Sequence, residues 1–339
     1  MKKKVWFNKN ISALNNLLDL IRQGDTEHEF HLIATHSQEN AIVKLGADEW
    51  HVEPDASEAG YVDWCIQFCK AHAIDLFIPG KGAKNIAVRV EEFLPTKVSL
   101  VADAATLRLL DNKAEFTAVL DESVPPAETR VVKNHREFTA AYAQLSAKYD
   151  RLCIKPAVSI FGLGFRVIDE RHNLLHHILK GRENVVNRQE LERAMEQAAD
   201  FSPALLLMEY LKGPEWSVDC LARHGHLIYA VQRLKSEHIG APQTIVENKD
   251  IALMTKRLTA QFRLNGMFNV QFRLGQDGIR VLEINTRPSG GSPAACLAGP
   301  NLPLEAVRMA LDVDYQPPVA ISQLGMLVHQ SMLPIALGA

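Results

Sequence analysis

Over the first hundred residues, apolar runs of strand length alternate with segments of helical periodicity. Residues 4–7, 29–34, 49–52, 75–78 and 97–100 read as strands; 11–21, a short piece through Ala41, Ile42 and Leu45, 61–71 and 88–93 read as helices. In the first helix Ile11, Leu14, Leu17, Leu18 and Ile21 recur at helical spacing, and Gly24 stops it. Strands separated by helices of this length predict right-handed βαβ units and a parallel sheet, an α/β, Rossmann-like domain. Ligands on such sheets bind outside the carboxyl ends of the strands, which makes Pro79-Gly80-Lys81-Gly82 a candidate small-molecule site. The turn after the first strand, Phe7-Asn8-Lys9-Asn10, has no glycine, so dinucleotide binding there is disfavoured.

At 339 residues the chain is long enough for two or three domains. With 47% apolar and 23% charged residues it has the composition of a soluble globular protein. A formal charge of −3 and no basic stripe argue against nucleic acid as a partner. Five scattered cysteines, an odd number, suggest reduced thiols and a cytoplasmic location. Cys65 and Cys69 fall four apart on a helix and read as core thiols. Residues 316–339 carry no acid or base apart from His329, but Gln323, Gln330 and three prolines make them too polar for a membrane span. They read as a closing strand and tail.

After residue 100 the pattern changes. Residues 104–120 read as helix, turn, helix, broken at Asp111-Asn112-Lys113; 128–131 is a strand and 137–149 a helix. The strand 151–157 carries Lys155 near its end and leads into Val158-Ser159-Ile160-Phe161-Gly162-Leu163-Gly164 and a strand through 168. A glycine-containing loop between two strands can fold over phosphates, because backbone N–H groups approach closely where side chains are small; a plain hairpin reads equally well. Residues 171–187, with His172, His176 and His177, read as a solvated loop. A helix at 191–199, an apolar strand at 204–211 ending near Glu209, two strands at 217–222 and 227–234, and helices at 249–262 and 304–311 complete the chain.

One hairpin carries chemistry. Its second strand, Arg280-Val281-Leu282-Glu283-Ile284-Asn285, is followed by Thr286-Arg287. Residues two apart in a strand share a face, so Glu283 and Asn285 project together. A carboxylate beside an amide oxygen suits Mg²⁺, and an arginine just beyond can grip an anion in a fork. A three-residue loop, Gln276-Asp277-Gly278, with Gly278 left-handed, would put Gln271 opposite Glu283 and Asn269 opposite Asn285. It is preferred because it gathers three oxygen ligands, Gln271, Glu283 and Asn285, on one face. A two-residue loop would move Gln271 to the other face.

Lys113, Lys155 with the loop to Gly164, the segment from Glu209 to Glu215, and the Gln271/Glu283/Asn285/Arg287 hairpin stand in an order that resembles the ATP-grasp superfamily of ligases. Asn-Val-Gln-Phe (269–272) and Leu-Glu-Ile-Asn-Thr-Arg-Pro-Ser (282–289) are most similar to the ATP-grasp portions of carbamoyl-phosphate synthase large subunits. The resemblance covers roughly residues 100–312. It implies a βα domain at 1–100, linker helices and an amino-terminal ATP-grasp lobe at 101–212, and a carboxyl-terminal lobe and tail at 213–339. It further implies that Lys113 contacts nucleotide phosphates and that Lys155 reaches the α-phosphate and the adenine edge. Glu209 would accept from the adenine amino group, with the backbone of Tyr210 and Leu211 beside it. Glu215 would bind the ribose, His238 would lie near the nucleotide, and Gly162 and Gly164 would belong to the phosphate loop. Gln271, Glu283 and Asn285 would hold Mg²⁺, with Mn²⁺ as the alternative, and Arg287 would neutralise the acyl phosphate or the attacked carboxylate. Arg233 and Lys235 fall where other members place basic residues near phosphates. Two departures stand out: the glycine loop is glycine-poor, and Gln271 is neutral where many members carry an acid.

The expected activity is that of an ATP-dependent carboxylate–amine or carboxylate–thiol ligase passing through an acyl phosphate. Its partners would be small-molecule carboxylates and amines or thiols, with neither nucleic acid nor membrane; the oligomeric state is open, a homodimer included. The alternatives are bicarbonate activation through carboxyphosphate and an ATP-binding protein without turnover.

Overall fold

The computed structural model describes residues 2–9, 14–158, 163–181, 184–236, 240–312 and 319–330. Gly162 and His238 lie outside the described residues, as do Ile11 and the tail after residue 330. The chain forms two compact units. One comprises Met1–Arg108, Pro214–Gln271 and Ile284–Ala339; the other comprises Leu109–Gly213 and Phe272–Glu283.

The first unit opens with the expected parallel sheet. Strands β1 (Lys3–Phe7), β2 (Phe30–His36), β3 (Glu49–Val52), β4 (Leu76–Ile78) and β5 (Lys97–Val98) lie in the order β3-β2-β1-β4-β5. All four pairings are parallel. Alternation sends Val5 and Phe7 to a core shared with helix α1 (Leu14–Gly24), and Trp6 to a core under helix α2 (Glu58–His72). Trp6 stacks on Phe77 there, ring centroids 3.9 Å apart. The cysteines of α2, Cys65 and Cys69, are buried in that core as expected. Burial pushes the Cys69 thiol up to about 12, which makes it inert.

The second unit is built on β6 (Thr129–Val132), β7 (Leu152–Pro156), β8 (Arg166–Ile168), β9 (Val185–Val186) and β10 (Leu205–Glu209), ordered β6-β10-β7-β8-β9. The period of two divides its faces cleanly. Leu152 and Ile154 of β7 join Leu207 of β10 in a core with Phe138 and Leu145. Cys153 and Ala157 join Leu206 and Met208 on the opposite face, against Leu211, Ala114 and Leu282. The stretch expected to be a solvated loop contains a helix, Leu174–Lys180, and the short β9.

The third sheet follows the order β15-β14-β11-β12-β13-β16, from β11 (Glu215–Arg223), β12 (His226–Leu234), β13 (Gln243–Val246), β14 (Gly266–Gly275), β15 (Gly278–Asn285) and β16 (Leu327–Val328). The strand bounds leave Gln276 and Asp277 between β14 and β15, with Gly278 at φ +118° already in the second strand. Within the first unit, helix Leu302–Leu311 is buried on two sides. Leu304 and Val307 pack on α1, while Leu302, Ala306 and Met309 pack on Leu221 and Tyr229. Among the described residues no helix is long and apolar enough to cross a membrane.

Candidate active site

Three of the residues singled out from the sequence come together in the second unit. Lys113 opens the helix Lys113–Ala118, whose N-cap Asn112 accepts from the backbone N–H groups of Ala114 and Glu115. The N–H of Lys113 donates to the Ala157 carbonyl just beyond β7, at 3.2 Å. This bond ties the helix start to the end of the strand that carries Lys155. The Lys113 ammonium lies 3.4 Å from the Glu283 carboxylate, their side chains 12% and 27% exposed.

Lys155 sits between Cys153 and Ala157 on the face of β7 that meets Ala114 and Leu282. Burial first, and the neighbouring Lys113 cation second, lower its pKa below the ordinary lysine range, while Glu283 opposes the shift. Two cations and a carboxylate thus converge where an apolar face ends. An anion bound there would be drawn to both lysines and would favour the charged form of Lys155.

Gly164 ends the loop after β7. Its φ is +78°, and a Cβ on it would come within 2.7 Å of Pro156 Cδ. A glycine is therefore required for the loop to close onto Pro156, next to Lys155.

Glu209, at the end of β10, is 2% exposed. Its Oε1 accepts from the Glu128 backbone N–H at 3.1 Å and from Arg280 Nε at 3.4 Å. The carboxylate forms part of the wall of an open cavity of about 430 Å³, with Thr117, Pro126, Thr129, Tyr149 and Arg280. Tyr210 donates its N–H to the Arg151 carbonyl at 3.0 Å, and its ring lies 5.8 Å from both the Arg151 and the Arg273 guanidinium carbons. Leu211 is buried in the core beside it.

The remaining candidates belong to the first unit. Glu215 begins β11 and pairs with Lys235. Gln271 and Asn285 are half-buried on β14 and β15. Arg287 lines a cavity of about 50 Å³ with Phe7, Leu17, Ile78, Pro79 and Leu107. It is the only charged residue in that lining among the described residues.

Arg233 lies in a buried network. Its Nε donates to Asp219 Oδ2 at 2.7 Å and its Nη2 to Ser217 Oγ at 3.1 Å and Ser289 Oγ at 2.9 Å; Nη1 bonds Gln243. Asp219 Oδ1 accepts from Ser289 Oγ at 2.8 Å and Ser292 Oγ at 2.6 Å. Asn269, expected opposite Asn285, sends its amide to Ser217, Val218 and Asp219. Sequence reasoning missed Asp219. The available signal was an acid in the middle of the otherwise apolar Val218-Asp219-Cys220-Leu221-Ala222.

Residues 201–331 match the family described as ATP-grasp in the biosynthetic pathway with Ter operon. Solved structures share the fold across nearly the whole chain. N5-carboxyaminoimidazole synthetase from Staphylococcus aureus complexed with ADP superposes with a TM-score of 0.67 at 12% identity, covering 95% of this chain and 80% of that one. The biotin carboxylase domain of Hydrogenobacter thermophilus 2-oxoglutarate carboxylase, in complex with MgADP, ADP and bicarbonate, gives 0.66 at 16% identity, covering 96% and 72%. L-amino acid ligase from Bacillus licheniformis gives 0.63 at 14% identity, covering 93% and 78%.

Proposed function

From a chain of ATP-grasp fold, we propose an ATP- and magnesium-dependent ligase that activates a small carboxylate as its acyl phosphate for attack by an amine or a thiol. The observation that carries this reading is the ion pair of Lys113 and Glu283, 3.4 Å apart, whose charges both act on the buried Lys155. Phosphoryl transfer needs little covalent help from a protein; it needs positioned positive charge, which this cluster supplies. Lys113 and Lys155 would bind the phosphates. Glu283 would hold magnesium through its carboxylate; Asn285 and Gln271, the other oxygen ligands of the sequence pattern, belong to the first unit. Magnesium bound there would neutralise triphosphate charge and orient the γ-phosphate.

The buried, bonded carboxylate of Glu209 supports adenine recognition through the backbone of residues 209–211 rather than through that side chain. Glu215 of the first unit, paired with Lys235, would be the residue for the ribose. In the first unit Arg287 would bind the substrate carboxylate. The apolar lining around it favours an organic acid with an apolar group over bicarbonate, whose three oxygens all seek donors.

Bicarbonate activation is the second reading, and the bicarbonate in the similar biotin carboxylase domain supports it. Phosphate release from Mg·ATP, measured against a matrix of carboxylates with amines, thiols and bicarbonate, tests both. Release that needs an organic acid together with a nucleophile supports the ligase. Stimulation by bicarbonate alone would sink the ligase reading, and tight Mg·ATP binding with no turnover would make this a nucleotide-binding protein.

A further inference from the structure

Away from the residues assigned above, one side of the parallel sheet in the first unit gathers three histidines around a single carboxylate. Glu49 and His51 lie two apart on the edge strand β3 and so share a face. The parallel register sets Glu49 beside Ile33 and His51 beside Thr35 of β2, the face to which His31 of β2 also belongs. Helix α2 packs on this face and ends at His72, where Ala73 takes the left-handed conformation that stops it. Phe68 of the same helix stacks on the His72 ring with centroids 4.1 Å apart and meets His51 edge-on at 5.2 Å. Three elements therefore deliver four side chains to one point, and an aromatic ring braces two of them.

The distances are those of a ligand set. Glu49 Oε1 lies 2.6 Å from His51 Nε2 and 3.0 Å from His72 Nδ1, and Glu49 Oε2 lies 3.3 Å from His31 Nε2. One ligand atom each from Glu49, His51 and His72 fall within 4.8 Å of one another. Two ligands of a tetrahedral zinc ion stand roughly 3.3–3.5 Å apart, given metal–nitrogen distances of about 2.0–2.1 Å, so small side-chain rotations suffice to admit the ion. The side chains are between 26% and 35% exposed, which leaves an ion a path from solvent. The far nitrogen of His31, Nδ1, lies 4.0 Å from Asp48 Oδ2, and Asp48 is itself fixed by Arg22 and the Leu32 N–H.

We propose that Glu49, His51 and His72, with His31 as the fourth ligand, form a binding site for a divalent transition-metal ion of the zinc type. Imidazole nitrogens with one carboxylate suit zinc and its neighbours and not magnesium or calcium, which take oxygen ligands. The ion joins β2, the edge strand β3 and the last turn of α2, and stabilises that side of the sheet. The site is independent of ATP and of the ligase reading.

The test uses the full chain, dialysed free of metal and kept in millimolar Mg²⁺ so that oxygen sites are filled. It is titrated with ZnCl₂ against a chromophoric chelator, and thermal unfolding is followed in parallel. One equivalent bound, a rise in Tm with zinc, and the visible absorption of tetrahedral cobalt on Co²⁺ substitution are expected. His51→Ala and His72→Ala should each weaken binding about 10–100-fold, and His226→Ala, far from the cluster in sequence and fold, should not. Should an alanine variant fail to fold, Glu49→Gln keeps the shape of the cluster and should lose the cobalt spectrum. Stoichiometric binding that survives His51→Ala/His72→Ala, or a zinc-free chain whose Tm ignores zinc, would overturn the proposal and leave a hydrogen-bonded histidine cluster.

Discussion

The Asp219 carboxylate and the Arg233 guanidinium meet at 2.7 Å with 1% and 2% of their side chains exposed. Asp219 and Val231 are direct neighbours in the β11–β12 ladder, so Arg233 reaches Asp219 diagonally, past its own partner Ser217. The pair also holds Ser289 and Ser292, which follow Arg287 in sequence. Gly291 passes so close that a Cβ there would come within 2.6 Å of the guanidinium carbon. A buried ion pair is thereby built into the support of the segment that carries the proposed carboxylate-binding arginine.

Asp219→Ala would leave the Arg233 cation buried without its partner. Breaking such a pair from one side costs about 3–5 kcal/mol. Urea unfolding should show a loss of this size, and a loss under about 1 kcal/mol would mean that the network is not what holds this segment. Ser289→Ala should cost less, about 1 kcal/mol, and should lower turnover more than stability if the segment positions Arg287.

Lys155→Met separates binding from folding. The native side chain is buried beside another cation, so its removal should leave stability unchanged or raise it. A hydrogen bond to a charged group contributes about 1.5–3 kcal/mol, so Mg·ATP affinity should fall roughly 10–150-fold. Calorimetry and thermal unfolding on the same variant decide it; reduced stability with unchanged affinity would refute the phosphate role.

The same lysine predicts proton traffic. Its pKa in the folded chain is lowered, so between that value and the ordinary lysine range the unfolded chain binds more protons. Stability should therefore rise with pH across this window as the destabilising charge is lost. Phosphates bound at Lys155 would pull the pKa back up. Binding enthalpies measured in two buffers of different ionisation heat, within this same window, should reveal net proton uptake in the native chain and none in Lys155→Met. Proton release would contradict the assignment.

The parallel sheet was readable because its strands and α1 carry clean periodicities: Val5 and Phe7 against Trp6, and Leu14, Leu17, Leu18 and Ile21 along one stripe. The break at Asn112 was readable because an N-cap is a local signal. Helix Leu174–Lys180 was not, since Leu174, Leu175, Ile178 and Leu179 stay exposed and its polar neighbours read as loop. Asp219 with Arg233, and Glu49 with its histidines, were invisible for another reason. Arg233 lies 14 residues from Asp219, and His31 and His72 lie 18 and 23 residues from Glu49, so these groups meet only through strand pairing and helix packing. The engagement of Glu209 was hidden likewise, because Glu128 and Arg280 are remote in sequence.

Gly164→Ala should destabilise the second unit. Alanine at φ +78° is strained, and its methyl group would meet Pro156 Cδ at 2.7 Å. A cost of about 1–2 kcal/mol is expected, larger than for a glycine in open space. Gly181, at φ +62° with nothing within 4 Å, provides the control: strain without the clash. Equal costs at the two positions in urea unfolding would show that the packing on Pro156 contributes nothing.

Glu209→Gln distinguishes a side-chain from a backbone reading of adenine. The amide oxygen can still accept from the Glu128 N–H, but the ion pair with the 14% exposed Arg280 is lost, in a position only 2% exposed. Stability should therefore fall by about 1–3 kcal/mol. If the carboxylate took the adenine amino group, ATP affinity would fall and selectivity over GTP would weaken, because the amide cannot match a charged acceptor. If the backbone of residues 209–211 reads the base, affinity measured well below the melting temperature should stay within about twofold of the native value, roughly 0.4 kcal/mol. The buried, doubly bonded carboxylate predicts the second result, and a tenfold loss of affinity with stability intact would restore the side-chain role.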